Sequence, residues 1–439
     1  MPFRKLIRII AGAGCCFLSA CASGPTVQPQ INYMVVTNRY DRALSILEKH
    51  QKDYGERNQL MYLLDQGLVL HYAGKYRQSN EVFEKAKKEY DKLLTTSVSK
   101  EALSWVWNDY ALPYRGEDFE RVMINVFEAL NYAALEDWEN ALVEARDVDS
   151  TLRAINLQYQ PDQRNVYKED AFARMLMGMM YEASGSSSDL DDAYISYQKA
   201  LEIYQTKFQK LFHVQPPEIL KENLLSLAAV IDRPGFRGFK EKFPDTPLVG
   251  FDRRQKNAEI YLVAYEGFGP VKADANFIVP VNGQLYKFAF SRYKERYQSR
   301  GKKTFTAREA TAQYSEPVEL VQDINKLAET TLESRRLRLT AKTLVRMAGK
   351  GLLVKEQTDR LQKNYGDTTG GVAKVVGNLI YLYSEQADLR SWETLPANIG
   401  MARLVVQPGL YNLFFDETEI GQVRVKAGEK KFVFYRTLK

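Results

Sequence analysis

The sequence predicts a mainly α-helical protein with a β module, in which an array of helical repeats precedes a β-sandwich-like domain that carries a helical insertion. Apolar and small residues recur at three-and-four spacing from residue 38 to 232. Segments rich in β-branched and aromatic residues, separated by glycine and proline, follow this region and return near the end of the chain. A chain of 439 residues can bury more than one substantial core.

Residues 1–20 have the three-part organisation of an export signal. Arg4, Lys5 and Arg8 precede an apolar run over residues 9–17, and small residues follow that run. The run is shorter than the ~20 apolar residues that a membrane-spanning helix needs. We therefore predict a signal peptide that is removed after residue 20.

The segment Leu18-Ser19-Ala20-Cys21 resembles a bacterial lipobox. The resemblance implies that the thiol of Cys21 carries a diacylglycerol and that the mature protein is acylated, with palmitate as a typical chain. Several acyl chains anchor firmly, since each buried methylene contributes ~0.8 kcal/mol. Residues 21–37 are then the acylated cysteine and a linker. The alternative is ordinary secretion with a coincidental cysteine.

The residue at position 22 bears on where an anchored protein would reside. It is Ala22 rather than aspartate, which is similar to the pattern of lipoproteins sorted to the outer membrane. The resemblance implies a protein anchored in the outer membrane and facing the periplasm.

Cysteine usage and charge narrow the function classes. Cys15 and Cys16 lie in the signal and Cys21 is the acylation site, so no thiol is left for a disulfide or for catalysis. Removing three basic residues with the signal from a total of 61 leaves a near-balance with 55 acidic ones. The charge balance therefore predicts no nucleic-acid partner.

Residues 38–232 contain three copies of a pattern of small and large residues that resembles the tetratricopeptide repeat (TPR). The first copy comprises Leu63, Gly67, Leu70, Tyr76, Ser79, Phe83 and Ala86. The second comprises Ala129, Tyr132, Trp138, Ala141, Ala145 and Val148, and the third Gly178, Tyr181, Ala193, Tyr197 and Ala200. The resemblance implies a TPR-like α-solenoid of helical hairpins, each packing a small residue against a bulky one.

The β module is interrupted. The Pro234-Gly235 run indicates a boundary, so residues 233–316 are predicted to hold its first strands, 317–388 a helical insertion and 389–439 its C-terminal strands. The C-terminal part, with Pro408-Gly409 opening a strand, resembles small transthyretin-like or PEGA-type β-sandwich modules. We expect both groups of strands to form one module, because neither offers enough strands to bury two faces.

Further segments carry a resemblance that covers most of the chain. They are Gly116 to Arg121, Ala129 to Tyr132, Ala141 to Arg146, Asp170 to Arg174, and Arg390-Ser391-Trp392 with Leu395-Pro396-Ala397. Together they resemble a family of uncharacterised TPR outer-membrane lipoproteins of proteobacteria. The resemblance implies a periplasmic, non-enzymatic role, near peptidoglycan synthesis or outer-membrane assembly.

The sequence offers no recognisable catalytic or metal constellation. Its histidines, His50, His71 and His213, lie far apart and none has a carboxylate at metal-ligand spacing. The glycines of Gly267-Phe268-Gly269-Pro270 lack the lysine and serine of a phosphate-binding loop and predict a turn. We therefore predict no enzyme activity, no catalytic residue, no metal and no cofactor.

One candidate binding surface is the inner-helix face of the three repeats. Its predicted positions are all apolar: Met61, Leu64, Leu68, Met123, Val126, Leu130, Phe172, Met175 and Met179. A soluble protein seldom exposes so large an apolar patch, so the face should be covered. Three alternatives remain: packing between repeats, a helix of the same chain such as residues 371–383, or an amphipathic helix of a partner.

A second candidate surface is a basic helix face. Arg338, Lys342, Arg346 and Lys350 recur every four residues, opposite an apolar face. They fit either a solvated face or contact with anionic lipid, glycan or an acidic partner.

The sequence thus favours an adaptor or scaffold that binds envelope proteins through its TPR groove. Peptidoglycan and proteins of its synthesis are further candidate partners. The alternatives are a pilotin-like assembly factor for outer-membrane or secretion complexes and an enzyme acting on the cell wall through carboxylates.

Overall fold

The computed structural model describes residues 27–104, 112–157, 166–185, 187–281, 284–288, 290–294, 296, 301–310, 312–335, 363 and 386–438. Its helices before the first strand are α1 Gln28–Val36, α2 Tyr40–Lys49, α3 Gln51–Tyr54, α4 Gln59–Tyr72, α5 Tyr76–Ser104, α6 Asp118–Ala134, α7 Trp138–Leu157, α8 Ala171–Ser184, α9 Ser187–Ile203, α10 Gln209–Phe212, α11 Glu218–Ile231, α12 Arg233–Lys242 and α13 Phe251–Lys256. The chain is therefore mainly α-helical up to residue 256.

The strands follow, with one further helix between them. They are β1 Ala258–Glu266, β2 Val271–Asp274, β3 Phe277–Val281, β4 Gln284–Phe288, β5 Ser291–Lys294, β6 Lys303–Arg308, β7 Gln313–Asp323, β8 Asn398–Val406, β9 Gly409–Phe415, β10 Thr418–Val425 and β11 Lys430–Thr437. Helix α14, Ile324–Ser334, follows β7. The chain is thus mainly α with a β module.

The repeats form pairs of consecutive helices, in which α4 packs on α5, α6 on α7 and α8 on α9. A glycine permits the close approach in two of these pairs. A Cβ at Gly67 would lie 2.6 Å from the ring of Phe83, and one at Gly178 would lie 2.5 Å from the ring of Tyr197. In these two pairs the predicted small residue therefore lies against its predicted bulky partner, which fixes the spacing of the two helices.

Two predicted boundaries differ from the structure. The Pro234-Gly235 run lies inside α12, because proline is well tolerated at the start of a helix and Asp232 accepts a hydrogen bond from the Gly235 amide at 3.1 Å. Residues 317–323, which we predicted to open the helical insertion, belong to β7. Pairing of β7 with β6 and β8 keeps this segment extended.

One seven-stranded sheet contains the long strands in the order β10-β9-β6-β7-β8-β1-β11. Strand β1 lies between β8, to which it is antiparallel, and β11, to which it is parallel. The first and last strands of the module are therefore neighbours. Strands β2 and β5 form a separate pair, as do β3 and β4.

The two faces of this sheet bury different cores. Along β1, Tyr261, Val263 and Tyr265 pack into the core shared with the helices, whereas the alternate residues belong to a second core. The sheet curls around that second core, so that the rings of Phe415 on β9 and Tyr435 on β11 lie 5.1 Å apart. The described strands thus build one curled sheet, not the two stacked sheets of a sandwich.

Candidate functional site

The nine inner-helix positions predicted as a docking surface are all buried. The most exposed of them, Met61, is 2% exposed, and most of the others are fully buried. They belong to one continuous core that also contains residues of β1, β8 and β11. The expectation that these side chains meet a partner in an open groove is therefore corrected, because the inner face of the array is already covered.

The cover is the sheet of the same chain and the segment that precedes β8. The ring of Tyr265 lies 5.7 Å from that of Phe127 on α6. Trp392 is fully buried, with its ring 6.0 Å from Phe83 and 6.1 Å from Phe127. Aromatic side chains of β1 and of the segment before β8 therefore cover the inner face of the helical array. The helix at residues 371–383, considered as an internal filler, lies outside the described residues.

His71, at the end of α4, lies at the centre of this junction. Its Nδ1 is 2.6 Å from the Oδ1 of Asn131 on α6, and its Nε2 is 2.7 Å from the hydroxyl of Tyr265 on β1. The residue is 1% exposed, and burial lowers the pKa of the imidazole to about 4. The histidine is therefore neutral at physiological pH and joins two helices to the sheet. Its role is structural, as a packed imidazole.

A buried ionic cluster centred on Glu259 forms a second junction. This carboxylate, at the start of β1, pairs with Arg254, Arg403 and Lys430, and it accepts a hydrogen bond from the Tyr261 hydroxyl at 2.7 Å. Burial alone would raise its pKa, but the adjacent positive charges hold the pKa well below the usual range. Glu259 is therefore ionised, and it draws β8, β11 and α13 together.

The same cluster reaches into the helical array. Nη1 of Arg254 lies 2.9 Å from the Oε1 of Glu182 on α8. Arg403 bonds to Glu222 and Asn223 on α11. Because every charge in the cluster has a partner, these buried groups hold the array and the sheet in one arrangement. Removing one partner would leave a buried charge uncompensated.

Residues that carry the family resemblance meet at a third junction. Oε1 of Glu120, in the Gly116–Arg121 motif, accepts the backbone N–H of Trp392 at 2.8 Å. Its Oε2 accepts the Tyr114 hydroxyl at 2.6 Å and the Glu117 amide at 2.9 Å, which completes a capping box at the start of α6. Burial raises the pKa of Glu120 to about 6. Two segments far apart in sequence thus form one structural contact.

Asp170, which begins the motif Asp170 to Arg174, also connects a helix to the sheet. Its side chain accepts the Ala173 amide at 2.6 Å and caps α8. It also accepts a hydrogen bond from the Gln322 side chain of β7 at 2.9 Å. The helix cap therefore doubles as a bond to the sheet.

Three carboxylates, of Glu84, Glu128 and Glu144, converge closely enough to hold a cation. The cation present is the ammonium of Lys87, which lies 2.8, 2.5 and 2.7 Å from them. Burial and the charge of Glu144 raise the pKa of Glu128 to about 9, so that carboxyl keeps a proton at neutral pH. A metal would have to displace both the lysine and this proton. The cluster is therefore a polar network in which Lys87 of α5 joins carboxyl groups of α5, α6 and α7.

The remaining predicted sites lie outside the described residues. They are the acylation site Cys21 and the basic face of Arg338, Lys342, Arg346 and Lys350. In the described ranges, no helix is both long and apolar enough to cross a bilayer.

Sequence reasoning did not find the Glu259 cluster. Glu259, Arg403 and Lys430 each interrupt or flank an apolar strand, and period-two alternation places Glu259 on the same face as Tyr261 and Val263. A charge on an otherwise apolar strand face was the available signal. Its partners Arg403 and Lys430 could not be identified, since they lie 144 and 171 residues away along the chain.

No protein-family model and no curated protein sequence matches this chain.

Proposed function

We propose that this protein is a lipid-anchored adaptor of the bacterial cell envelope, which faces the periplasm and binds protein partners through the outer surface of a TPR-like helical array. The single observation that carries the proposal is the closure of the inner face of the array by the chain's own sheet. A repeat array closed on one side offers its outer helices to partners.

Two exposed aliphatic side chains support an outer binding surface. Val143 on α7 is 46% exposed and Ile195 on α9 is 59% exposed. Each stands two residues after the small residue of its repeat, Ala141 or Ala193. They therefore occupy equivalent positions on the second helix of two different repeats. We therefore place the partner contact at these two repeated positions.

The buried polar residues support a structural role for the junction. His71 of α4 bonds to Tyr265 of β1, Glu120 of α6 bonds to Trp392 in the segment before β8, and Glu259 of β1 bonds to Arg254 of α13. These contacts make the helices and the sheet one body, so an anchored protein would present its outer surface in a fixed shape.

Crosslinking in intact cells tests the proposal. We expect the combined Val143→Glu and Ile195→Glu variant to melt close to wild type, because both positions are exposed, and to lose the crosslinked partners. Leu248→Glu is the matched control, since Leu248 is also 46% exposed but lies outside the repeats. Retrieval of every wild-type partner by the folded double variant would contradict an outer binding surface.

Two measurements separate the alternative functions. Capture of secretin or barrel subunits alone would favour the pilotin-like assembly factor, and release of muropeptides by the pure protein would favour the cell-wall enzyme.

Anchoring is tested with Cys21→Ala, which should accumulate as an unprocessed precursor without lipid. A processed, acylated product from that variant would contradict the anchor.

A further inference from the structure

Arg436, near the end of β11, is a buried cation that pairs with no carboxylate among the described residues. It is 5% exposed. Its Nη2 donates to the carbonyl oxygen of Gly267 at 2.8 Å, and its guanidinium lies 5.0 Å from the centre of the Tyr72 ring. Among the described residues, its Nε and Nη1 have no hydrogen-bond partner, and no carboxylate lies within 4.0 Å of it.

Five other buried basic side chains differ from Arg436 in this respect. Each of the following lies within 4.0 Å of a carboxylate: Arg254, Lys272, Arg390, Arg403 and Lys430. Taking a charge out of water without a counter-charge costs several kcal/mol, about the magnitude that a bound anion can offset. The unpaired guanidinium therefore indicates a place where an anion is accommodated.

An open cleft lies next to this arginine. It has a volume of about 500 Å³ and is lined by Asn38, Arg39, Tyr40, Asp41, Arg42 and Ala73. The side chain of Asp41 is paired with Lys75 at 2.8 Å. Arg39 and Arg42 are exposed and have no carboxylate within 4.0 Å among the described residues. The lining is therefore cationic.

Two tyrosines connect the cleft to Arg436. The ring of Tyr40, which lines the cleft, lies 5.9 Å from the ring of Tyr72, against which the guanidinium packs. Burial raises the pKa of Tyr40 to about 12, and the positive charge of Arg436 opposes part of that rise. Arg436 thus packs on Tyr72, whose ring neighbours the cleft residue Tyr40, and its charge adds to that of Arg39 and Arg42.

We propose that this cleft binds a phosphate-bearing ligand, with Arg39 and Arg42 contacting the phosphate oxygens and Arg436 supplying the buried positive charge behind Tyr40. Guanidinium groups match phosphate oxygens with paired hydrogen bonds, and Tyr40 adds a hydroxyl at the rim. A phosphate carries more charge than a single carboxylate, which suits a site with three arginines. The proposal is independent of the adaptor function.

The test uses the full-length chain in a non-ionic detergent. Its thermal unfolding is measured in millimolar inorganic phosphate or glycerol 3-phosphate, against chloride of equal ionic strength. A ligand that binds only the folded state raises the midpoint in proportion to occupancy. We expect phosphate to raise the unfolding midpoint of wild type. The combined Arg39→Gln and Arg42→Gln variant should bind phosphate at least about tenfold more weakly.

The matched control is Arg237→Gln with Arg253→Gln, which removes two exposed arginines elsewhere and should bind like wild type. Arg436→Gln should also lose phosphate stabilisation, and if it does not fold, the exposed pair still decides. Tighter binding of glycerol 3-phosphate identifies a lipid headgroup as the source, and tighter binding of inorganic phosphate identifies the free ion. An unchanged wild-type midpoint, or an equal rise in the Arg39 and Arg42 variant, would overturn the proposal.

Discussion

Acidification should lower the free energy of unfolding of this protein because of His71. The imidazole is buried and neutral, held between Asn131 and Tyr265, and its pKa is lowered from 6.5 to about 4 by burial. Below pH 6.5 the unfolded chain therefore binds a proton that the folded chain does not. Stability contributed by this group is fully present above pH 6.5 and is lost as the pH falls towards 4.

The magnitude follows from the two pKa values. The fall in the pKa of His71 from 6.5 to about 4 corresponds to about 3 kcal/mol of the free energy of unfolding, at about 1.4 kcal/mol for each pKa unit. Roughly two thirds of this loss should be reached by pH 5. That is a large fraction of the 5–15 kcal/mol by which proteins of this kind are typically stable.

Other buried groups act in the opposite direction, so the effect is isolated as a difference between two proteins. Burial raises the pKa of Asp65 to about 7 and that of Glu120 to about 6, and both therefore stabilise the fold as the pH falls. Subtracting the pH profile of His71→Gln from that of wild type removes these contributions. Glutamine suits the comparison because it can hydrogen-bond to the same neighbours without titrating.

The assay is urea unfolding of both proteins at several values between pH 7 and pH 5. We expect wild type to lose about 2 kcal/mol more than His71→Gln over this range. Parallel pH profiles for the two proteins would refute the reasoning, since they would show that the imidazole titrates alike in the folded and unfolded states.

Two further predictions concern packing. Gly178→Ala should destabilise the protein by about 1–3 kcal/mol in urea unfolding, because its Cβ would lie 2.5 Å from the fully buried ring of Tyr197. Gly238→Ala, which meets open space in α12, is the control, and an equal loss in both variants would contradict the role of close helix approach. Leu130→Glu should cost about 3 kcal/mol or more, because it buries a charge in the core, whereas Val143→Glu in the partner helix α7 should change stability by less than about 0.5 kcal/mol. A stable Leu130→Glu variant with wild-type melting would show that the inner face is open.

Local features were predictable from the sequence. The pairs Gly67 with Phe83 and Gly178 with Tyr197 were expected, because a small residue and a bulky one at helical spacing can meet within a single hairpin. The strand at residues 258–266 was also indicated, since β-branched and aromatic residues favour extended backbone. The lipobox at Cys21 is a prediction of the same local kind.

Tertiary structure decided what covers the apolar surfaces. An apolar side chain such as Leu130 must be removed from water, but the hydrophobic effect has no direction and does not specify its neighbour. The covering by the curled sheet depends on β1 pairing with β8 and β11, more than 130 residues away along the chain. The Glu259 cluster depends on the same pairing, because its charges converge only when helices and sheet are packed together. The sequence by itself therefore determined the helix pairs and strands such as β1, whereas closure of the inner face was decided by long-range pairing, because burial requires a neighbour that local patterns do not identify.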